Sequence, residues 1–206
     1  MKSAILQECL DTIDRQRQGV FARAQGISTE DLWQRPGNER WSIGQNLEHL
    51  TKAMQLFRWA FALTYPVGLP FAVAFRRKPF TSDIANPYEH RPKPVAAPLG
   101  VRPRDRRPTP LSLALLEQGL ARQRERFQVT LSGMHEGIAG HIKVWDPPVG
   151  MVNLLQLARL VAHHEAHHFR FVHDLLDRYE ANRAGSSFAK HEEHKAEQKS
   201  ANASSL

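Results

Sequence analysis

Cysteine is almost absent from this chain of 206 residues, and its absence excludes two kinds of site. Cys9 is the only cysteine, so no disulfide can form within the chain and no metal site can be built from several thiolates. The sequence also lacks an uninterrupted apolar run of about 18 residues, the length that spans a bilayer. The N-terminus has no basic region followed by a continuous apolar stretch, so we expect no secretory signal. These absences predict a soluble, cytoplasmic protein without a membrane partner.

Acidic residues are scarce in one basic segment, and this segment supplies most of the chain's net charge of +7. Residues 76–107 contain nine Lys or Arg but only three Asp or Glu. The segment is also rich in proline and does not interleave its basic residues with aromatic ones on a helix. We therefore expect a basic surface loop and no specific nucleic-acid partner, although contacts with phosphate groups independent of base sequence stay an open alternative.

Convincing strand signals are also missing, whereas apolar residues recur at helical spacing in four segments. The segments run from Ser3 to Gln25, from a Ser42–Gln45 capping box to Thr64, from Ser112 to Ser132 and from Met151 to Tyr179. Four amphipathic helices predict an all-α fold, a four-helix bundle that occupies residues 1–182. Residues 183–206 are rich in Ser, Lys, Glu and Ala, and this composition predicts a disordered tail.

Proline concentrates between the second and third predicted helices. Residues 65–110 hold ten of the thirteen prolines, so we expect an irregular connection there. If the two helices run parallel, the connection must return along the bundle, about 30 Å. One hypothesis is that it passes the mouth of the functional site and offers Arg76, Arg77 or Lys78 to an anionic substrate. The alternative is a mobile surface loop.

The fourth predicted helix contains the most informative stretch, residues 164–168, which reads His-Glu-Ala-His-His. His164 and His168 are four residues apart and project from one face of a helix, so both imidazoles can bind one divalent metal. A helical wheel assigns them to the apolar face and His163 and His167 to the solvated face. Buried imidazoles require partners for their nitrogens, and the pair can be either metal ligands or hydrogen-bonded core residues.

A third ligand is expected from a facing helix, because metal sites in helix bundles are built across helices. His49 lies at the edge of the apolar stripe of the second helix and is the natural candidate. The stretch from His164 to His168 also matches the H-E-x-x-H signature of zinc peptidases, in which Glu165 would be the general base. We favour a structural role for Glu165, either paired with a basic residue of a neighbouring helix or orienting a ligand, and keep it as a weak catalytic candidate. Glu48 is expected to be solvated, and His141 to lie at the surface.

Three stretches together resemble the DinB/YfiT-like superfamily of metal-binding four-helix bundles. They are residues 41–50, which contain Trp-Ser followed by His49 and Leu50, then Pro148-Val149-Gly150, and finally residues 164–168. The resemblance covers residues 1–180. It implies that His49, His164 and His168 ligate a divalent metal.

Three histidines leave coordination positions open, as in catalytic metal sites. The ion we expect is Zn²⁺, with Ni²⁺, Mn²⁺ and Fe²⁺ as alternatives. The resemblance further implies a metal-dependent thiol transferase or a hydrolase acting on a small-molecule substrate, in the first case with a low-molecular-weight thiol as co-substrate. A non-catalytic metal-binding or interaction module and, more remotely, an H-E-x-x-H zinc metallopeptidase are the alternatives. Whether the chain forms a homodimer is left open.

Overall fold

A computed structural model describes residues 1–37, 40–89, 100–103 and 109–203, with side chains up to Arg183. This part of the chain forms helices α1 (Ala4–Ala24), α2 (Thr29–Trp33), α3 (Ile43–Val73), α4 (Leu113–Ser132), α5 (Glu136–Ala139) and α6 (Leu154–Ala203), and strands β1 (Lys143–Asp146) and β2 (Gly150–Asn153). The predicted all-α class is confirmed.

Serine side chains begin four of these helices. Ser3, Ser28, Ser42 and Ser112 each accept a hydrogen bond from a backbone N–H in the first turn of the helix that follows. At Ser42 the Gln45 side chain in turn accepts a hydrogen bond from the backbone N–H of Ser42, so the predicted capping box is confirmed. Since this box sets the start of α3, it also sets the position of His49 two turns later.

The four long helices lie side by side in the order α1, α6, α3, α4, and α4 also contacts α1. Helices α3 and α4 run parallel, since Gly119 lies beside Thr51 and Phe61 packs edge-on against Phe127 at 5.2 Å. Helices α3 and α6 run antiparallel, since Asn46 contacts His168 and Phe57 contacts His164, so the first half of α3 faces the first third of α6. The connection between α3 and α4 must therefore return along roughly 40 Å of helix.

Two apolar clusters form the core, and a polar layer separates them along the helix axes. The first cluster contains Leu6, Ile13, Phe61, Phe127 and Val161 among others. The second contains Val20, Leu47, Leu120, Phe169 and Val172 among others. Between them lie buried polar side chains: Arg17 of α1, His49 of α3, and Glu165 and His168 of α6. This layer contains the candidate site.

Helix α3 is longer than predicted, because it continues past Thr64 to Val73 with Pro66 and Pro70 inside it. Each proline removes one helical N–H donor, which is why the sequence predicts an end before Pro66. Both prolines are exposed, so water can hydrogen-bond to the carbonyls that they leave unpaired. The helix continues because Phe61 and Ala72, on either side of the prolines, pack in the core. The start predicted for the connection, residue 65, is therefore wrong, and the connection begins at Ala74.

The expectation of no strands is also wrong, because residues 143–153 form an antiparallel hairpin. In its register Trp145 faces Met151, and Gly150 has a positive φ of 94° that suits the turn. Helix α6 consequently begins at Leu154 instead of Met151. Asn153 caps it reciprocally with Gln156, each side chain accepting the other's backbone N–H at 2.9 Å.

Helix α6 continues to Ala203, through most of the segment predicted to be disordered, residues 183–206. The side chains after Arg183 lie outside the described residues. The disorder of this tail in solution stays a prediction.

Candidate metal centre

The structure brings the imidazoles of His49, His164 and His168 together from two helices. One nitrogen from each ring belongs to a set in which all atoms lie within 4.8 Å of one another. The Nε2 atoms of His49 and His164 are 3.3 Å apart. Two nitrogens bound to one tetrahedral ion at about 2.0–2.1 Å would lie about 3.3–3.4 Å apart. The spacing of this pair therefore suits a shared ion.

Hydrogen bonds at the other ring nitrogens orient two of the three imidazoles. His49 Nδ1 lies 2.8 Å from the carbonyl oxygen of Val101, and His168 Nδ1 lies 2.9 Å from Asn46 Oδ1. The Asn46 amide is itself oriented, because its Nδ2 donates to the Ser42 carbonyl. Both Nδ1 atoms must donate to these oxygen acceptors, so each Nε2 keeps a free lone pair in the neutral ring. This tautomer is the one that ligates a metal through Nε2.

The pKa values of all three imidazoles are lowered, mainly because burial disfavours the imidazolium form. The pKa of His164 falls to about 3, with smaller contributions from His49 and His167. The pKa of His168 lies well below its ordinary value, and that of His49 is also lowered. The rings are therefore neutral at neutral pH, as metal ligands must be.

Aromatic side chains enclose the three histidines. Trp41 stacks on His168 with a centroid distance of 5.8 Å and contacts His49 at 5.0 Å. Phe57 and Tyr88 both meet His164 edge-on, at 5.8 and 5.7 Å. His49 and His168 are buried, whereas His164 is half-buried. The accessible side of the cluster is therefore the side of His164, next to Phe57 and Tyr88.

Glu165 is paired with Arg17 in the polar layer. The carboxylate accepts two hydrogen bonds from the guanidinium, at 2.9 and 2.5 Å, and both side chains are buried. Arg17 also donates to the carbonyl of Leu120, which links α1, α4 and α6. Glu165 thus pairs with a basic residue of a neighbouring helix, which is one of the two structural roles expected from the sequence.

Two expectations about individual side chains are wrong. His167 is buried, because Tyr88 of the connection stacks on its ring at 5.1 Å and covers a helix face that appears polar in the sequence. Glu48 is also buried and forms an ion pair with Lys52 at 3.0 Å. The expectation that His141 lies at the surface is not contradicted, since the residue is partly exposed and its Nε2 hydrogen-bonds to the carbonyl of Lys78.

The basic residues Arg76, Arg77 and Lys78 lie far from the histidines. The backbone of Arg76 packs against Gly137 of α5, and the carbonyl of Lys78 bonds to His141. From His49 to the end of α3 at Val73 is roughly 36 Å of helix. The hypothesis that these side chains reach a substrate at the site is therefore wrong. The connection does pass the site, but through Tyr88 and Val101.

Sequence reasoning missed Asn46, Tyr88 and Val101. Asn46 had a signal, since it precedes His49 by three residues and so lies on the same side of α3. Tyr88 and Val101 had none, because they belong to a segment without periodicity and reach the site only through the path of the chain. Trp41 belongs to the stretch of residues 41–50 that carries the family resemblance, but its contacts with His49 and His168 could not be inferred.

Comparison with known protein families places these features in a wider group. The model of the DinB superfamily matches residues 12–172, which is more than half of the chain and includes every residue of the site. No curated protein and no solved structure matches the chain. The match agrees with the resemblance found in the sequence, while the domain limits at residues 1 and 182 stay predictions.

Proposed function

The chain belongs to the DinB superfamily, and from this premise we propose that it is a metal-dependent thiol transferase that acts on a small molecule in the cytoplasm. The proposal rests on one observation: three neutral imidazoles lie close together, and in two of them, His49 and His168, the lone pair of Nε2 is available to bind a metal. His49, His164 and His168 would hold a divalent ion, with Zn²⁺ the first choice for imidazole ligands.

The donor set fits a catalytic ion better than a closed structural one. Within the described residues, the cluster consists of three histidines without a carboxylate or thiolate. Cys9 packs in the first apolar cluster, and Glu165 is held by Arg17. A three-histidine set leaves a position for substrate. An ion there supplies Lewis-acid chemistry, since it lowers the pKa of a water or thiol that reaches it.

Thiol transfer is favoured over hydrolysis by the surroundings of the site. A hydrolase commonly uses a carboxylate as general base. The two nearest glutamates in sequence, Glu48 and Glu165, are engaged by Lys52 and Arg17. A thiol activated at the site needs no separate base, and the aromatic rings of Phe57 and Tyr88 suit an apolar acceptor group. The same pairing of Glu165 removes the general base that a zinc metallopeptidase requires.

The proposal is tested with chelator-treated protein reloaded separately with Zn²⁺, Ni²⁺, Mn²⁺ and Fe²⁺. We expect consumption of low-molecular-weight thiols with 1-chloro-2,4-dinitrobenzene as acceptor, dependent on the metal, lost in His164→Ala and retained in His163→Ala. His163 is a matched control because it is adjacent on α6, half-buried and outside the cluster.

Two results would replace the proposal. Metal-dependent hydrolysis of a chromogenic ester without any thiol would assign the site to a hydrolase. Stoichiometric metal binding without turnover in either assay would support the non-catalytic module.

A further inference from the structure

One face of α3 is apolar and exposed over four turns. It consists of Leu56, Trp59, Leu63, Val67 and Phe71, which we call the α3 stripe. Their spacing of three or four residues places them on one side of the helix. The exposed fraction rises along the stripe to 62% at Leu63, 72% at Val67 and 76% at Phe71. Contiguous exposed apolar surface of this kind marks an interaction site.

The hairpin extends this surface. Lys143 of β1 lines a shallow groove together with Val67 and Phe71. Trp145 lies two residues after Lys143 and so on the same face of the hairpin. It pairs across the strands with Met151, and these two side chains are 65% and 63% exposed. Aromatic and apolar groups of two elements thus form a continuous surface with a basic residue between them.

Helix α3 is the one described helix that is long and apolar enough to cross a membrane, by length and composition alone. A buried core helix often passes this test, but only 11% of the apolar segment of α3 is buried. Crossing a bilayer would separate α3 from α4 and α6, against which it packs, and would expose His49 to lipid. A bilayer can therefore contact only the outer side of α3.

The residues around the stripe are basic, and their charge indicates which kind of surface the stripe binds. From His49 to Ser82 the chain contains basic residues but no acidic one. The basic residues are Lys52, Arg58, Arg76, Arg77 and Lys78. The last three follow the stripe and are exposed, and the Arg58 guanidinium lies 4.5 Å above the Trp59 ring. A second copy of the stripe would bring like charges together, whereas anionic headgroups would neutralise them.

We propose that the α3 stripe, with Trp145 and Met151, binds the surface of an anionic lipid bilayer. The apolar side chains enter the boundary between headgroups and acyl chains, as in helices that lie in the membrane plane. Arg76, Arg77 and Lys78 contact the headgroups. The expectation of no membrane partner rested on the missing continuous apolar run, and the exposure of this face could not be read from the sequence.

The test is co-sedimentation of the full chain with vesicles of phosphatidylcholine mixed with phosphatidylglycerol, compared with phosphatidylcholine alone. We expect binding to the anionic vesicles, weakened by salt. Val67→Ser combined with Phe71→Ser should weaken binding about tenfold or more, because two apolar side chains no longer enter the bilayer. Replacing Arg76, Arg77 and Lys78 by Gln should also weaken it about tenfold or more.

The matched control is Val129→Ser combined with Leu115→Ser, which changes two exposed apolar residues of α4 outside the stripe and should leave binding unchanged. Far-UV circular dichroism and metal content of each variant report whether the fold is intact. The proposal would be overturned if the protein sedimented equally with both kinds of vesicle, or if it sedimented with neither. A homodimer seen by light scattering that the Val67 and Phe71 substitutions dissociate would overturn it too, because the stripe would then be covered by a second copy.

Discussion

At the scale of single residues, the hydrogen bonds at Nδ1 of His49 and His168 determine that Nε2 of each ring can bind a metal. Val101 and Asn46 accept hydrogen bonds from His49 and His168 and so leave the opposite nitrogens as acceptors. Without these partners each ring could adopt either tautomer or rotate out of the cluster. The partners of the histidines therefore belong to the site as much as the histidines do.

Asn46→Ala tests this dependence. His168 would lose the acceptor for its Nδ1 proton, and loss of such a partner typically weakens metal binding about 10–100-fold. The measurement is competition for Zn²⁺ with a chromogenic chelator. Asn153→Ala is the control, since Asn153 is also a buried asparagine but bonds to Thr81 and Gln156, far from the histidines. Similar Zn²⁺ affinities in the two variants would refute the role of Asn46.

The buried ion pair predicts a second residue effect. Arg17→Met leaves the Glu165 carboxylate buried without its partner and should lower the free energy of unfolding by about 3–5 kcal/mol. Replacing both residues, Arg17→Met with Glu165→Met, should recover most of the loss. Urea unfolding measures both. Arg23→Met is the control, because its ion pairs with Asp177 and Glu180 are exposed and should contribute roughly 0–1 kcal/mol. Equal losses at Arg17 and Arg23 would contradict the account.

At the scale of elements, periodicity predicts which side of a helix is apolar but not what later covers the polar side. The wheel places His164 and His168 on the apolar side of α6, where the structure has them facing His49. It fails for His167, because Tyr88 arrives from a segment without a pattern. The caps at Ser42 and Ser112 were predictable since their signals are local. The extension of α3 past Pro66 was not, because packing outweighs the local preference.

Glycines in two helices predict opposite effects of the same substitution. A Cβ at Gly44 would lie 2.7 Å from the Trp33 ring, so Gly44→Ala should destabilise the protein by about 1–3 kcal/mol. A Cβ at Gly19 of α1 meets nothing within 4 Å, so Gly19→Ala should stabilise it by roughly 0.5–1 kcal/mol. Thermal unfolding of both variants reports the sign. Stabilisation by Gly44→Ala would show that the Trp33 ring of α2 does not lie against Gly44.

At the scale of the whole molecule, the chain contains a polar layer between two apolar clusters. Every long helix contributes to it, α4 through the Leu120 carbonyl that Arg17 contacts. The sequence could predict the histidines of this layer but not Arg17, whose surroundings in α1 resemble those of any solvated arginine. Side chains of α1, α3 and α6 and a backbone carbonyl of α4 form this layer, and the sequence cannot show that they lie together until the order of the helices is known.

The buried histidines make the stability of the metal-free protein depend on pH. Burial holds the pKa of His164 at about 3 and lowers those of His49 and His168, whereas unfolded histidines titrate at 6.5. Below that pH the unfolded chain binds protons that the folded chain does not. The stabilising contribution is therefore complete above pH 6.5 and is lost as pH falls, by up to about 1.4 kcal/mol per pH unit for each histidine.

Urea unfolding of chelator-treated protein between about pH 6.5 and pH 5 checks this, a range above most carboxylate titrations. His164→Asn should give a shallower dependence than the unsubstituted protein. A free energy of unfolding that is constant over this range would mean that the histidines are not buried in the metal-free state.

The central claim is that His49, His164 and His168 together hold one metal ion, and elemental analysis of chelated and Zn²⁺-reloaded protein tests it most directly. His163→Ala is the control, because His163 lies next to a ligand on α6 but outside the cluster. His167 would not serve, because it is buried against Tyr88 and its loss would disturb the fold. We predict one Zn²⁺ per chain in the unsubstituted protein and in His163→Ala, and almost none in His168→Ala. No bound metal in the unsubstituted protein, or equal loss in both variants, would contradict the account.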